Sequence, residues 1–358
     1  MLASGSPVRS SHTLAEILSQ PEIWRSCLYE LQDNTAFQTI LSKSVSRKEW
    51  LFVGCGTSFY LAEAAAASWT LLTGQHARAL PASELLLFPR LAQLNAADLQ
   101  VVIISRSGRT SEAVRVAELL SRKHNLPTLG VTCAQNSELA KACELTIALP
   151  AVDEKSMVMT RSFTSMLLTL LHLAAANADA RAFSSASESV AVALSSRIQA
   201  FNERIESFAA KHTFGDYIYL AQGPFFPIAR EAALKITEMS CSYAQPYHTL
   251  EFRHGPKSIV APQTCLTFFL SESGMQAESE VLVEMKELGG TIIAVCNRAT
   301  EAVRRSSDLL FELEADVPEI ALLAPFIVPA QLLGFHTGVK KGFNPDEPKN
   351  LSRVVILD

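Results

Sequence analysis

The sequence predicts an α/β protein built twice, with two tandem parallel sheets, each flanked by helices in three α/β/α layers. Two serine-glycine turns, Ser105-Arg106-Ser107-Gly108 and Ser271-Glu272-Ser273-Gly274, lie 166 positions apart. Each follows a strand-like apolar run, at 101–104 and 266–270, and precedes a helix-like one. Glu112 and Glu278 recur at the same spacing after the turn, and Gly56 and Gly223 close the runs at 50–53 and 217–220. At 358 residues, 48% hydrophobic and 19% charged, the chain is long and apolar enough for two domains with buried cores.

The elements follow in order. An N-terminal arm, residues 1–44, is helical over 13–41, with Pro21 near a helix start after Ser19-Gln20. A first α/β unit, 45–200, has strands at 50–53, 101–104, 128–131 and 146–149. These short β-rich runs are separated by helical segments, the pattern of right-handed crossovers in a parallel sheet. A long helical stretch over 162–211 leads into the second unit, 201–341, with strands at 217–220, 266–270, 291–295 and 309–312 and a last helix over 320–339. A polar, turn-rich tail, 342–358, ends in Val354-Val355-Ile356-Leu357.

Composition narrows the function. A net charge of −5 argues against a general nucleic-acid binder. Seven scattered cysteines with no Cys-x-x-Cys pair suggest reduced thiols of a cytoplasmic protein rather than disulfides or zinc ligands. The first twelve residues hold no apolar core of a secretory leader. The most apolar stretches, 166–176 and 320–335, are short or interrupted by Pro325 and Pro329 and read as buried helices.

Hydroxyls and glycines gather at two strand-to-helix turns of the first unit, Gly54-Cys55-Gly56-Thr57-Ser58 and Ser105-Arg106-Ser107-Gly108-Arg109-Thr110. Helix N-termini expose unpaired N–H groups and carry partial positive charge, and open α/β sheets bind ligands outside the carboxyl ends of their strands. These turns therefore suit a phosphate; helix capping alone would also explain each serine or threonine. In the second unit the first turn reads Gly223-Pro224-Phe225-Phe226, without hydroxyls and with one N–H fewer, so one phosphate site per chain is expected. No Gly-Lys-Ser/Thr and no spaced dinucleotide glycines follow, which argues against a nucleotide.

The helix opening the second unit carries Glu231, Lys235 and Glu238 at i, i+4 and i+7, on one face. A solvated ion-pair stripe is the plain explanation; a proton-transfer array is the other. His254 precedes Gly255-Pro256 at a turn, where it either bonds a carbonyl or shuttles a proton near neutral pH.

Together, the repeated Ser-x-Ser-Gly turns, Gly-Cys-Gly-Thr-Ser, the Glu-x-x-Leu-Lys-x-x-Glu helix and Arg253-His254-Gly255-Pro256 resemble the double SIS (sugar isomerase) family, a flavodoxin-like fold, over about residues 13–357. The resemblance is to the isomerase half of glucosamine-6-phosphate synthase. It is stronger to stand-alone tagatose-6-phosphate ketose/aldose isomerases and amino-sugar-6-phosphate deaminases. It implies that Ser105, Ser107, Thr110, Thr57 and Ser58 hold a sugar phosphate, with Gly56, Arg106, Glu231 and Arg353 in support. Glu238 would move a proton between C1 and C2, Lys235 would polarise or shuttle, and His254 would assist ring opening from the neighbouring subunit of a homodimer. The chemistry implied needs a base over two carbons and donors at the carbonyl oxygen, with no metal or cofactor.

The sequence departs from the synthase in three ways. No glutaminase domain is expected before residue 45. Arg353 follows Pro348-Lys349-Asn350-Leu351-Ser352 where the synthase has an imine-forming lysine, and a guanidinium is not an amine nucleophile. Arg106 stands between the two serines, where a charge-assisted bond to phosphate is expected. Two classes of function compete: an enzyme that isomerises, or deaminates and isomerises, a hexose or hexosamine 6-phosphate, or a non-catalytic sugar-phosphate sensor. The presence of Glu238, Lys235 and His254 together favours the enzyme. Deglycation of a fructosamine 6-phosphate would use the same proton transfer.

Overall fold

The computed structural model describes residues 12–44, 47–92, 94, 98–180 and 182–357. The first eleven residues, and Val45 where the first α/β unit is expected to begin, lie outside them. The chain forms two compact units. One comprises Gln20–Glu154, Arg161–Glu188 and residues 352–357; the other comprises residues 12–19, Lys155–Thr160 and Ser189–Leu351.

The first unit holds five parallel strands: β1 (Glu49–Gly54), β2 (His76–Pro81), β3 (Leu99–Ile104), β4 (Thr128–Thr132) and β5 (Leu145–Ala148), in the order β2-β1-β3-β4-β5. Alternation along the strands fills both faces. Leu51, Val53, Val101 and Ile103 pack with Ala113, Val116, Leu120 and Leu139. On the other residues of β1, Trp50 and Phe52 meet Trp69, and the two indole N–H groups share the Gln75 Oε1 at 2.9 and 3.1 Å. Sheets buried on both faces read as continuous apolar runs, as these strands do.

The second unit repeats the plan with β6 (Asp216–Ala221), β7 (Ala244–His248), β8 (Thr264–Phe269), β9 (Thr291–Cys296) and β10 (Leu309–Glu312), all parallel, in the order β10-β9-β8-β6-β7. Ile218, Leu220, Leu266 and Phe268 pack with Val281, Leu282 and Met285, while Tyr219 and Phe269 stack on the opposite face. The eight strands expected from the sequence are present. The two unexpected ones, β2 and β7, are the corresponding edge strands of the two sheets.

Three helical stretches are divided into shorter helices. The helical arm is three helices, His12–Leu18, Gln20–Gln32 and Thr35–Ser44, with Pro21 at the second position of the middle one. The helical stretch over 162–211 comprises Arg161–Asn177, Ala182–Ser195 and Ile198–Lys211; the first ends before Asp179, whose φ of 52° no α-helix accommodates. The final helix begins with a 3₁₀ turn at Glu319–Leu322 and continues through Leu323–Phe326 and Val328–Lys340. The stretch Glu319–Lys340 is apolar and long enough to cross a membrane, and its most apolar window is wholly buried in this fold. All seven cysteines are free thiols.

Candidate functional site

In the first unit the sheet order reverses between β1 and β3, so the two hydroxyl-bearing turns leave the carboxyl ends of neighbouring strands. β1 ends at Gly54, where a Cβ would lie 2.3 Å from the Ser58 carbonyl oxygen; only glycine lets the next helix start this close. Gly56 then takes φ 54° and caps the helix Thr57–Thr73, whose Thr57 and Ser58 are buried at its start. After β3, Ser105 N–H still donates to Val131 O at 3.0 Å. Its Oγ accepts from Gly108 N–H at 3.1 Å and lies 3.4 Å from Thr110 Oγ1, while Ser107 Oγ accepts from Arg109 N–H at 3.2 Å. Thr110 caps the helix Ser111–Glu118. Among the described residues no carboxylate hydrogen-bonds Ser105, Ser107 or Thr110.

Arg106 is turned away from this turn. Its Nη1 lies 3.1 Å from Glu154 Oε2, both side chains being almost wholly buried, and Glu154 also accepts from Ser162 N–H at 3.1 Å and Ser162 Oγ at 2.5 Å. Its charge is balanced within the protein by Glu154. Cys55 lies within the first turn, where burial and the Glu112 carboxylate 4.0 Å away push its thiol up to about 12. Arg353 pairs with Asp153 at 2.8 and 2.9 Å. Beyond it the tail crosses the start of the Ser111–Glu118 helix: Ser111 N–H donates to Val355 O at 3.2 Å, and Leu357 N–H to Ser111 Oγ at 2.9 Å.

The second unit repeats the backbone and changes the chemistry. Gly223 has the same φ of 54° as Gly56, but Phe225 behind it is buried against Phe326. The second turn is already bonded to carboxylates. Glu278 accepts from Ser271 Oγ, from Ser271 N–H at 3.3 Å and from Thr249 Oγ1 at 3.2 Å. Glu319 accepts from Glu272 N–H at 2.5 Å, Ser273 N–H at 3.1 Å and Ser273 Oγ at 2.6 Å.

The same unit carries the helix Phe226–Ser240. Lys235 Nζ lies 3.3 Å from Glu231 Oε1 and 2.5 Å from Glu238 Oε2, with side-chain exposures of 1% for Lys235, 0% for Glu231 and 14% for Glu238. Those exposures remove the solvated-stripe explanation. The helix Val328–Lys340 approaches this one closely: a Cβ on Gly334 would sit 3.2 Å from Lys235 O, and one on Gly338 2.2 Å from Met239 O. Desolvation acts to lower the Lys235 pKa, but Glu231 and Glu238 outweigh it and hold the ammonium above the ordinary lysine value. The amine is therefore a cation at neutral pH, with one fully buried carboxylate and one that reaches solvent.

His254 stands exposed just after the 3₁₀ turn Glu251–Arg253, its N–H donating to Glu251 O at 2.9 Å. Neighbouring Arg253 and Lys257 both bind Glu284, at 2.7 and 2.6 Å, which anchors the turn. Its ring makes no hydrogen bond among the described residues. Also among them, no group of three or more His, Cys, Asp or Glu is placed to hold a metal ion. The roles of Glu154, Asp153 and Glu319 had no sequence signal, since Arg106, Arg353 and the second turn lie 46 to 200 positions from them.

The SIS domain model matches residues 45–176 and again 217–336. The glutamine–fructose-6-phosphate aminotransferase of Bacteroides thetaiotaomicron is 26% identical over 374 aligned positions, covering 96% of this chain, which spans 58% of that relative's length. Among solved structures, glucosamine-6-phosphate deaminase from Thermotoga maritima is 29% identical with a TM-score of 0.75, covering 96% of this chain and 99% of its own. Tagatose-6-phosphate ketose/aldose isomerase from Escherichia coli superposes with a TM-score of 0.83 at 23% identity, covering 98% of each chain. With both halves matched, and the paired parallel sheets and repeated serine-glycine turns in place, the chain belongs to the SIS domain family.

Proposed function

We propose that this chain is an isomerase of hexose or hexosamine 6-phosphates that moves a proton between C1 and C2 and, on an amino sugar, releases the amine. The observation that carries this reading is the buried Glu231–Lys235–Glu238 array, in which only Glu238 reaches solvent. An ion pair this deeply buried is seldom worth its desolvation for stability alone.

In this reading the hydroxyl turns of the first unit, through Thr57, Ser58, Ser105, Ser107 and Thr110, bind the phosphate group. Gly56 shapes one of those turns, Arg106 braces the unit from within, and Arg353 pins the tail to Asp153 at its surface. Glu238 takes the proton from C2 of the open-chain aldose, the electron pair forms the C1–C2 double bond and the C1 oxygen takes up a proton to give the enediol; the same carboxyl then returns its proton to C1 while the C2 hydroxyl gives up its own, leaving the ketose. With an amino sugar the intermediate is an enolamine; protonation at C1 leaves an imine at C2, and water hydrolyses it to ketose and ammonia. Lys235 holds Glu238 in place and supplies positive charge beside the developing oxyanion. Glu231 fixes Lys235. His254 assists ring opening, its exposed ring on an anchored turn being suited to serve the partner chain of a homodimer.

The test is a coupled screen of hexosamine and ketose 6-phosphates that reads ammonia release and ketose formation together. Turnover of at least one substrate, lowered on the order of 10²–10⁴-fold in Glu238→Gln with substrate binding retained, is expected. Binding without turnover across the screen would favour the sensor instead.

A further inference from the structure

The two Ser-x-Ser-Gly turns leave equivalent strands, β3 and β8, at the point where each sheet order reverses. They differ in where the nearby carboxylates point. At the second turn three donors, Glu272 N–H, Ser273 N–H and Ser273 Oγ, converge on Glu319 at 2.5–3.1 Å, as they would on an oxyanion. Glu278 holds the remaining Ser271 donors.

The position 166 residues before Glu319, the repeat distance of the turns, is Asp153, next to Glu154. Both first-unit carboxylates are drawn off by arginines: Asp153 by Arg353 and Glu154 by Arg106. Glu112, the counterpart of Glu278, meets Cys55 Sγ rather than Ser105. Among the described residues, then, no carboxylate bonds the serines of the first turn, and two bond those of the second.

We infer that Glu319 is a specificity-determining residue: its carboxylate is the resident anion of the second turn and confines phosphate recognition to the first. The inference rests on the reading that phosphate is the group the first turn recognises. An arriving phosphate at the second turn must displace Glu319 from three donors or sit beside like charge, and the buried Glu278 adds a second repulsion.

Calorimetric titration of the full chain with inorganic phosphate tests this. The parent is expected to bind one phosphate per chain, and Ser107→Ala to lose it. Glu319→Ala, alone or with Glu278→Gln to remove the second charge, is expected to gain a further equivalent that Ser273→Ala in the same background abolishes. If neither variant gains phosphate, or if the parent already binds a second equivalent sensitive to Ser273→Ala, the inference is overturned. A parent that binds none while Glu319→Ala gains one would uphold the role of Glu319 and instead defeat the phosphate assignment of the first turn.

Discussion

The two sheets share strand order, turn positions and even the φ of 54° at Gly56 and Gly223, yet their polar groups are arranged in opposite ways. In the first unit, among the described residues, no carboxylate bonds Ser105, Ser107 or Thr110, and Arg106 and Arg353 bind the acidic side chains that follow β5. In the second, Glu278 and Glu319 seal the turn, and the ionic chemistry sits on the Phe226–Ser240 helix instead. The difference teaches that the duplicated backbone only supplies positions. Which copy offers donors to a ligand is decided by where a few charged side chains find partners.

The largest effect should come from breaking the buried array. Lys235→Met leaves two carboxylates in a site the ammonium had compensated, and should cost about 3–5 kcal/mol of unfolding free energy. Denaturant titration measures it, and the double variant Glu231→Gln/Lys235→Met should lose less than the two single changes summed. Next in size is the contrast between turns. Ser107→Ala should raise KM roughly 10- to 150-fold, equivalent to about 1.5–3 kcal/mol for a bond to a charged oxygen, while Ser273→Ala should leave KM within about twofold. Equal effects would remove the asymmetry.

The smallest effect is one of pH. Burial raises the Glu278 pKa above its ordinary 4.5, against the opposing bonds from Ser271 and Thr249. The folded chain therefore holds this proton more tightly than the unfolded chain. The stability so gained is full below pH 4.5 and is lost as pH rises through the folded-state value. Urea midpoints of the parent and Glu278→Gln, compared at pH 4.5 and 7.5, should show the variant losing less over that rise.

Much of this was legible beforehand because it is local or periodic. Apolar runs gave eight strands, the repeat distance gave the duplication, and i, i+4, i+7 spacing placed Glu231, Lys235 and Glu238 together. β2 and β7 escaped because edge strands need no continuous apolar run: His76–Pro81 and Ala244–His248 are polar and each contains a proline. The divisions of the helical stretch over 162–211 escaped because composition alone does not reveal a residue that turns left-handed, as Asp179 does. Burial of the Lys235 array was hidden too, since Gly334, whose Cβ would sit 3.2 Å from Lys235 O, brings up a helix about a hundred residues further on. The inward turn of Arg106 likewise depends on Glu154, 48 positions away.

The central claim, that Glu238 carries a proton between adjacent sugar carbons, is tested most directly by solvent exchange. Incubating the enzyme with a substrate 6-phosphate found in the screen, in deuterium oxide, and following C1 and C2 by NMR should show deuterium entering the sugar with the parent. Exchange should fall on the order of 10²–10⁴-fold with Glu238→Gln. Exchange at the parent rate in Glu238→Gln would contradict the account.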